Sequence, residues 1–555
     1  MSARIFSTYP PVVSSDHLEY LAAYVKNWTI HHGLSVRPSA ALVPEEINPH
    51  TVLATSAPVT LFPSPFPRGG FEQAQGLQKV YNELYVAIAS NEAWLESVLK
   101  ELIEVDDFLA QLWKIHVAVK AEGYVDDFSL GLFRSDYMLD TSSTPASLKQ
   151  VEFNTISSSF GGLSSLVTQL HTDLLSFPSP DVPLAYPSHP LFSQIRSDDT
   201  SARKAKSTGL PPPNRAVATL ADGLAAAHQA YGSSKHNPPL PLCILFLVQD
   251  DERNAFDQLA LSTYLTTQHK IPSLRLPTSA ILSQTTIPPV SANASRPLIY
   301  HPPSSPHNQA YEVSLVYFRA LYAPSEYTSP AHWEGRHHLE RSAAIKCPSV
   351  LLQLSGSKKI QQVLTSLPPD DTDHLSAFLS PQHPPSTLQA LRSTFAAQYS
   401  MSSAQGVKLA LDPATAASHV LKPQREGGGN NIYRTNIPPF LNSIPKDQHK
   451  GYILMELIHP PAAAKNTVLR SDGQVVSGDV ISELGIFGTS LWRKPKAQPG
   501  TELARPEIIY NTEGGYLLRT KAAGNDEGGV AAGFSSLDSL ILYDEEEEPA
   551  DEAQE

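Results

Sequence analysis

Cysteine is nearly missing from this chain of 555 residues: Cys243 and Cys347, far apart, are the only two. Two thiols so placed make neither a disulfide framework nor a CxxC metal pattern, and they suit a reducing compartment. Cys347, beside Pro348, has no activating neighbour and is expected to be structural. Basic charge is short as well. Lys and Arg number 41 against 55 Asp and Glu, a formal net charge of −14. Eight of those acids fall in residues 544–555, a base-free tail that reads as solvated and disordered. Nucleic acid is therefore not an expected partner, because its binders need a basic face. No run approaches the ~18 consecutive apolar residues of a membrane span. The opening MSARIFSTYPPVVSS lacks the basic-then-apolar pattern of a secretory signal, so a cytoplasmic protein without a membrane partner is expected. Several catalytic signatures are missing too: there is no HExxH and no Gly-x-Ser-x-Gly elbow. Gly356-Ser357-Lys358-Lys359 lacks the second glycine of a phosphate-binding Walker loop.

What is there suits a large enzyme. Hydrophobic residues make up 41% of the chain, enough to bury more than one core. Residues 15–32 read as a helix. An apolar stripe over 77–122 (Leu77, Val80, Tyr81, Leu84, then Trp94, Leu95, Val98, Leu99, Leu102) predicts long or paired helices. LGLFRSDYMLD and VEFNTI have strand character, and a Gly/Ser-rich turn follows them and opens a helix. Further on, CILFLVQ, SLRLPT and SLVYFRA are strands around the helix AFDQLALSTYLTTQ, which predicts a small α/β unit with a parallel sheet. Residues 333–364 are helical in character. Stretches 178–215, 276–310 and 367–388 are Pro-rich and read as linkers or insertions. Past residue 390 the chain alternates short strands with glycine turns. The 48 prolines belong mostly to loops, and no internal repeat is visible.

Three segments carry the chemistry. In Lys422-Pro-Gln-Arg-Glu426-Gly427-Gly428-Gly429-Asn-Asn431, three consecutive glycines let backbone N–H groups approach an anion closely. The neighbouring lysine suits phosphate and the carboxylate suits Mg²⁺; an ordinary flexible turn is the alternative. Glu152-x-Asn154 places two hard oxygen donors on one face of a strand, apt for Mg²⁺ or, more plainly, for a strand-end cap. Ser157 and Ser159, in the turn beyond, could meet the polar groups of a peptide substrate. Arg519 and Lys521 alternate at strand spacing, so both can face one cleft. Arginine matches a carboxylate and lysine a phosphate, against the alternative of a solvated edge.

Together these segments resemble the eukaryotic glutathione synthetase family. The resemblance is carried by LFRSDYMLD, VEFNTISSSFGGL, ERNAFDQ, VYFRALY, WEGRHHLERSAAIKCPSVLLQLSGSKKIQQ, LKPQREGGGNNIY, YILMELI, SELGIFG and LLRTKAAGNDEGGVAAG, in family order from about residue 130 to 535. It implies an α+β chain with N-terminal helices, an ATP-grasp fold and an inserted α/β, parallel-sheet, substrate-binding lid domain. On that division 1–215 is the helical region and first part of the core, and 216–358 the substrate-binding unit. Residues 359–543 are the ATP-grasp unit and 544–555 the tail. The implied reaction is ATP-dependent joining of γ-glutamylcysteine to glycine through an acylphosphate, with Mg²⁺, in a homodimer.

Residue by residue, the resemblance gives Arg134 to the dipeptide and makes Glu152, Asn154 and Glu426 the metal ligands. Ser157, Ser159, Glu252, Asn254, Gln258, Arg319 and Tyr322 become substrate contacts. Lys358, Lys422, Gly427, Gly428, Gly429, Asn431, Tyr433, Met455, Glu456, Ile458, Glu483, Lys521 and Glu527 fall on the ATP side, with Glu152 reaching it as well. Arg519 matches the arginine that holds a substrate carboxylate, and Val530 and Ala531 lie in the alanine-rich loop. Arg134, Arg519 and Lys521 are the catalytic candidates. Leu457 stands where many members have lysine, at a position read mostly through its backbone. Glu527 stands where aspartate is usual. A ligase for another amine such as β-alanine, or a non-catalytic ATP-binding regulator, are the alternatives.

Overall fold

In a computed structural model, the structure describes residues 8–177, 185–192, 209–289, 291, 294–365, 373–380, 382–462, 464–495, 503–524 and 535–544. The acidic tail beyond Asp544, most of 178–208, and Glu527, Val530 and Ala531 lie outside those residues.

The leading helix α1 (Ser15–His32) starts where the Ser14 hydroxyl accepts from the His17 N–H. It ends at Gly33, whose φ of 75° suits a left-handed cap. After β1 (Val59–Thr60), the apolar stripe becomes three helices: α2 (Arg68–Ala89), α3 (Glu92–Ile103) and α4 (Asp107–Glu122). Next come β2 (Phe128–Asp140), β3 (Ser147–Asn154), α5 (Gly161–Leu175) and α6 (Ala216–Tyr231). Strands β4 (Leu242–Val248), β5 (Ser273–Pro277) and β6 (Tyr311–Phe318) surround α7 (Ala255–Tyr264). The stretch expected to be all helical contains α8 (Pro330–Glu340), then a short strand β7 (Ile345–Cys347), then α9 (Val350–Ser355) and α10 (Lys358–Thr365). Strand β7 is buried on both faces and three residues long, too short to show a period.

The described part of the third Pro-rich stretch is helical: α11 (His374–Leu379) is capped by Asp373, and α12 (Pro385–Ser393) carries proline in its first turn, where no N–H is needed. Four short strands follow: β8 (Gln398–Ser400), β9 (His419–Pro423), β10 (Ile432–Tyr433) and β11 (Tyr452–Glu456). They pair in the order β8-β11-β9-β10. The last part holds β12 (Lys465–Leu469), β13 (Val475–Arg493), β14 (Glu507–Ala522) and β15 (Ser535–Asp538). Strands β13 and β14 are long, whereas the glycines of ISELGIFGTSL and GYLLRTKA read as turns. Those glycines serve close packing instead: a Cβ at Gly488 would lie 2.4 Å from Asn82 Oδ1 on α2.

Among the described residues three sheets have four or more strands, and two further pairs of short strands stand apart from them. The largest runs β12-β1-β15-β14-β13-β2-β3, antiparallel but for β1 beside β15. The second, as predicted, is parallel across β5-β4-β6-β7, but residues 276–310 are not a plain insertion. Thr285–Thr286 and Ile299–Tyr300 add antiparallel strands at its edge. Period-2 alternation divides the large sheet between two cores. Leu484, Ile486, Tyr516 and Leu518 face α2–α4, while Phe487, Leu491 and Leu517 face α5 and α6. Each fully buried side chain of this size is worth ~1.5–3 kcal/mol, so two-sided packing fixes the strands that carry the polar residues described below. At the end of β3, Phe153 stacks on Tyr85 with centroids 3.9 Å apart, which holds Glu152 and Asn154 in place on either side.

One buried polar contact ties this sheet to α5. His171 Nε2 lies 2.9 Å from the Thr60 carbonyl and Nδ1 2.7 Å from the Ser539 hydroxyl, an arrangement served by the neutral ring. Burial pushes its pKa down to about 4, against a smaller opposing pull from Thr60. A folded-state value below the unfolded one makes its contribution complete above about pH 6.5 and progressively lost as pH falls toward 4. The stability difference between the wild type and His171→Gln is expected to shrink on going from pH 7.5 to 5, measured by denaturant unfolding. A difference constant with pH would remove His171 from the acid sensitivity.

Candidate functional site

A cavity of about 1090 Å³ opens where the three sheets meet, lined from β2, β3, β9, β11, β13, β14 and the loops after β4 and β6. The expected residues on its wall are Arg134, Glu152, Asn154, Ser157, Ser159, Glu252, Asn254, Arg319, Tyr322, Lys358, Lys422, Glu426, Gly427, Gly428, Asn431, Tyr433, Met455, Glu456, Ile458, Glu483, Arg519 and Lys521. Among the described residues, two of the expected ones are not on it. Gln258 is buried behind the wall, where its Nε2 donates to Glu252 Oε2, and Gly429 is exposed beside Gly427 and Gly428 without lining the cavity. Gln258 therefore orients the carboxylate that faces the cavity, because the helix α7 turns its side chain inward.

At one corner Lys358 Nζ sits 2.8 Å from Glu152 Oε2 and 3.6 Å from Glu426 Oε1. Lys422 Nζ, nearby, donates to the Val151 carbonyl at 3.1 Å. Burial opposes ionisation of Glu152, but Lys358, Lys422 and Arg519 outweigh it and hold the carboxyl down at about 2. Glu426 has less of that help. Burial, with the Glu152 charge added, pushes it up to about 7 against Lys358. Burial likewise lowers Lys422 to about 8. The Glu152 and Glu426 carboxylates, the second of them short of positive charge, and the Asn154 amide oxygen form a hard-oxygen set that matches Mg²⁺, which takes one or two carboxylates and completes its shell with water and phosphate. No group of three His, Cys, Asp or Glu side chains placed to hold a metal gathers among the described residues, so the set here is two carboxylates and an amide.

The second cluster is cationic. Arg134 and Arg519 project from β2 and β14, and Arg519 reaches both Glu483 and Asp136. Phosphoryl or acyl groups with developing negative charge are stabilised by paired guanidiniums of this kind.

The third cluster lies under the parallel sheet. Arg319 Nη2 donates to Ser159 Oγ at 2.8 Å and to Asp257 Oδ2 at 3.2 Å. Ser157 and Phe160 carry φ of 51° and 73°, uncommon for residues with side chains. Asp257 secures this turn by accepting from the Phe160 N–H at 2.9 Å and the Gly162 N–H at 2.7 Å. Tyr322 Oη accepts from Gln249 Nε2 at 3.0 Å, and Gln249 is held in turn by Glu326. Sequence reasoning missed Asp136, Asp257 and Gln249. Asp136 carried a usable signal, since it stands two residues from Arg134 and so shares its strand face.

The glycine turn closes the cavity from the far side. Gly427 and Gly429 take φ of 80° and 92°, where a side chain would be strained. Gly427 lies against Tyr322, so the turn meets the loop after β6. Beside it Val420, Tyr433, Met455, Leu457 and Ile458 give the cavity an apolar wall suited to a flat ring, with Ala396 packed among them. The N–H groups of Glu456 and Leu457 already donate to the Ala397 and Ser418 carbonyls. Those two N–H groups are therefore taken, and a ligand reading this stretch through its backbone would meet other groups of it.

A family model described as "Eukaryotic glutathione synthase, ATP binding domain" matches residues 15–542. Among curated proteins, the glutathione synthetase large chain of Schizosaccharomyces pombe is 34% identical over 95% of this chain and 98% of its own length. The glutathione synthetase of Mus musculus is 38% identical over 88% of this chain and 90% of its own. Among solved structures, a glutathione synthetase-like effector of Globodera pallida in its apo form superposes with a TM-score of 0.67 at 19% identity. It covers 96% of this chain and 98% of that one, a likeness of fold.

Proposed function

The chain belongs to the eukaryotic glutathione synthase family and makes glutathione as an ATP-dependent ligase, and we propose that the cavity between its three sheets joins γ-glutamylcysteine to glycine through an acylphosphate. The observation that carries this reading is the convergence on one cavity of Arg134, Arg519, Lys358, Lys422, Lys521, Glu152, Glu426 and the glycine turn.

The two sheets bearing β9–β11 and β13–β14 grasp ATP between them in the ATP-grasp manner, and the parallel-sheet unit of residues 216–358 is the lid over the dipeptide. Its purine lies against the apolar wall around Met455, Tyr433 and Ile458. Lys358, Lys422 and Lys521 neutralise phosphates, and the Gly427–Gly428 backbone approaches them closely. Glu152, Asn154 and Glu426 would hold Mg²⁺, which, when bound, draws charge from the phosphate oxygens. Arg319, Ser159 and Glu252 hold the γ-glutamyl end. Arg134 and Arg519 hold the cysteinyl carboxylate, whose oxygen attacks the γ-phosphorus as the bond to ADP breaks. The glycine nitrogen then attacks the acyl carbon; a C–N bond forms, phosphate leaves with the C–O electrons, and the amine loses its proton. Positioning and charge neutralisation supply this catalysis without a protein nucleophile. Glu527, Val530 and Ala531 keep the nucleotide and substrate contacts that resemblance gives them.

Further readings follow from the same resemblance: a homodimer, residues 1–215 and 359–543 as the core units, and a cytoplasmic location. Two buried, unpaired cysteines support the last. No described helix is long and apolar enough to cross a membrane.

Dipeptide labelled with ¹⁸O in its cysteinyl carboxylate tests the chemistry. One label should appear in the released phosphate; label-free phosphate would exclude the acylphosphate. Arg319→Ala is expected to raise the dipeptide KM ~10–100-fold, as loss of a buried charged hydrogen bond does, with the ATP KM unchanged. A change confined to ATP affinity would mean that Arg319 does not hold the γ-glutamyl end.

A further inference from the structure

Asp136 is fully buried on β2 and has no role in the reaction as drawn above. Its two oxygens nevertheless meet four donors from three strands. Oδ1 accepts from Arg134 Nε at 2.6 Å. Oδ2 accepts from Arg134 Nη2 at 2.8 Å, Asn154 Nδ2 at 2.9 Å and Arg519 Nη2 at 3.0 Å. These partners are the two guanidiniums of the reacting carboxylate and one oxygen donor of the cation corner.

The sheet register builds this convergence. Asp136 stands opposite Glu152 on β3 and opposite Gly485 on β13, while Arg519 crosses from its place beside Glu483. Gly485 leaves the room. A Cβ there would lie 2.6 Å from Arg134 Cδ and 2.7 Å from Asp136 Oδ1.

We propose that Asp136 is a positioning residue of the ligase reaction: one buried carboxylate that sets Arg134 and Arg519 side by side on the reacting carboxylate and turns the Asn154 amide so that its oxygen faces the cation. This rests on the site reading given above. Two adjacent guanidiniums repel, but with Asp136 and Glu483 the four charges balance, so both arginines keep N–H groups for a third anion. Asn154 Nδ2 spends its hydrogens on Asp136 and on the Arg134 carbonyl at 3.0 Å, which leaves Oδ1 to face outward. An amide at position 136 breaks this arrangement. An NH₂ in place of Oδ2 faces three donors, and the relief is for Asn154 to turn its oxygen inward and for Arg519 to lean on Glu483 alone.

The test compares Asp136→Asn, Gly485→Ala and Arg519→Ala with the wild type. Asp136→Asn is expected to lower kcat ~100-fold with the dipeptide KM changed less than ~3-fold, since displacement of groups by about 1 Å has that cost and Asp136 bonds Arg134, Asn154 and Arg519 but not Arg319 or Glu252. Without turnover, the Mg²⁺ concentration for half-maximal binding of a non-hydrolysable ATP analogue should rise ~10-fold. Gly485→Ala, which pushes the same pair from the other side, should move both readouts in the same direction. It decides the matter if Asp136→Asn does not fold. Near-wild-type kcat and an unchanged Mg²⁺ midpoint, or a loss confined to melting temperature, would overturn the proposal. If Arg519→Ala collapses turnover while Asp136→Asn does not, only the positioning role fails; if Arg519→Ala retains full kcat, the site reading fails and takes this proposal with it.

Discussion

Glutamine in place of Glu426 is expected to cut turnover on the order of 10³-fold, while the ligand-free protein unfolds no earlier than the wild type. The two effects have one cause. Glu426 shares Lys358 with Glu152, and Lys358 lies closer to Glu152. Burial and the Glu152 charge therefore push the Glu426 carboxyl from 4.5 up to about 7. A folded-state value above the unfolded one means that stability is lost as pH rises from 4.5 to 7 and stays lost above. Glutamine carries no charge, so the variant's gain over the wild type is absent near pH 4 and complete above pH 7. A site that is uncomfortable when empty and needed when loaded is what a cation-binding carboxylate produces. Steady-state kcat at saturating Mg²⁺ and melting temperature at two pH values check both halves. Turnover within tenfold of wild type would remove Glu426 from the cation corner.

Arg519→Ala is the second large effect. It is expected to lower kcat ~10³-fold with a dipeptide KM within a few-fold of the wild type. Arg519 pairs with Asp136 and Glu483, whereas Arg319 pairs with Asp257 and Ser159, so Arg519 is assigned to the reacting carboxylate rather than to the γ-glutamyl end. A charged donor that matters most as charge moves lowers kcat and kcat/KM together when removed. Opposite kinetic signatures for Arg519→Ala and Arg319→Ala would place the two ends of the dipeptide. A KM effect from Arg519→Ala with kcat preserved would reverse that placement.

Much of this site was legible because its residues sit on short contiguous words. Glu152 and Asn154 share a strand face, Arg519 and Lys521 share another, and the glycine turn announces itself; all but Gly429 among these reach the cavity. What escaped were groups that work from behind. Asp136 and Asp257 are buried, and their partners come from strands and turns distant in sequence, so only the register brings them together. In the fold, the parallel sheet was visible from its buried runs. The length of β13 and β14 was not, since Gly485 and Gly488 signal turns in a sequence but here make space for Arg134, Asp136 and Asn82. The described helices of the Pro-rich stretch escaped for a similar reason: proline breaks a helix only past its first turn, and in α12 it stands at the start.

The most direct test of the account is phosphate release from ATP with Mg²⁺ and γ-glutamylcysteine, with and without glycine, with the product weighed by mass spectrometry. The account predicts sustained, glycine-dependent release of phosphate matched by a product of glutathione mass. Nucleotide binding without turnover on glycine, or turnover only with a different amine, would contradict it.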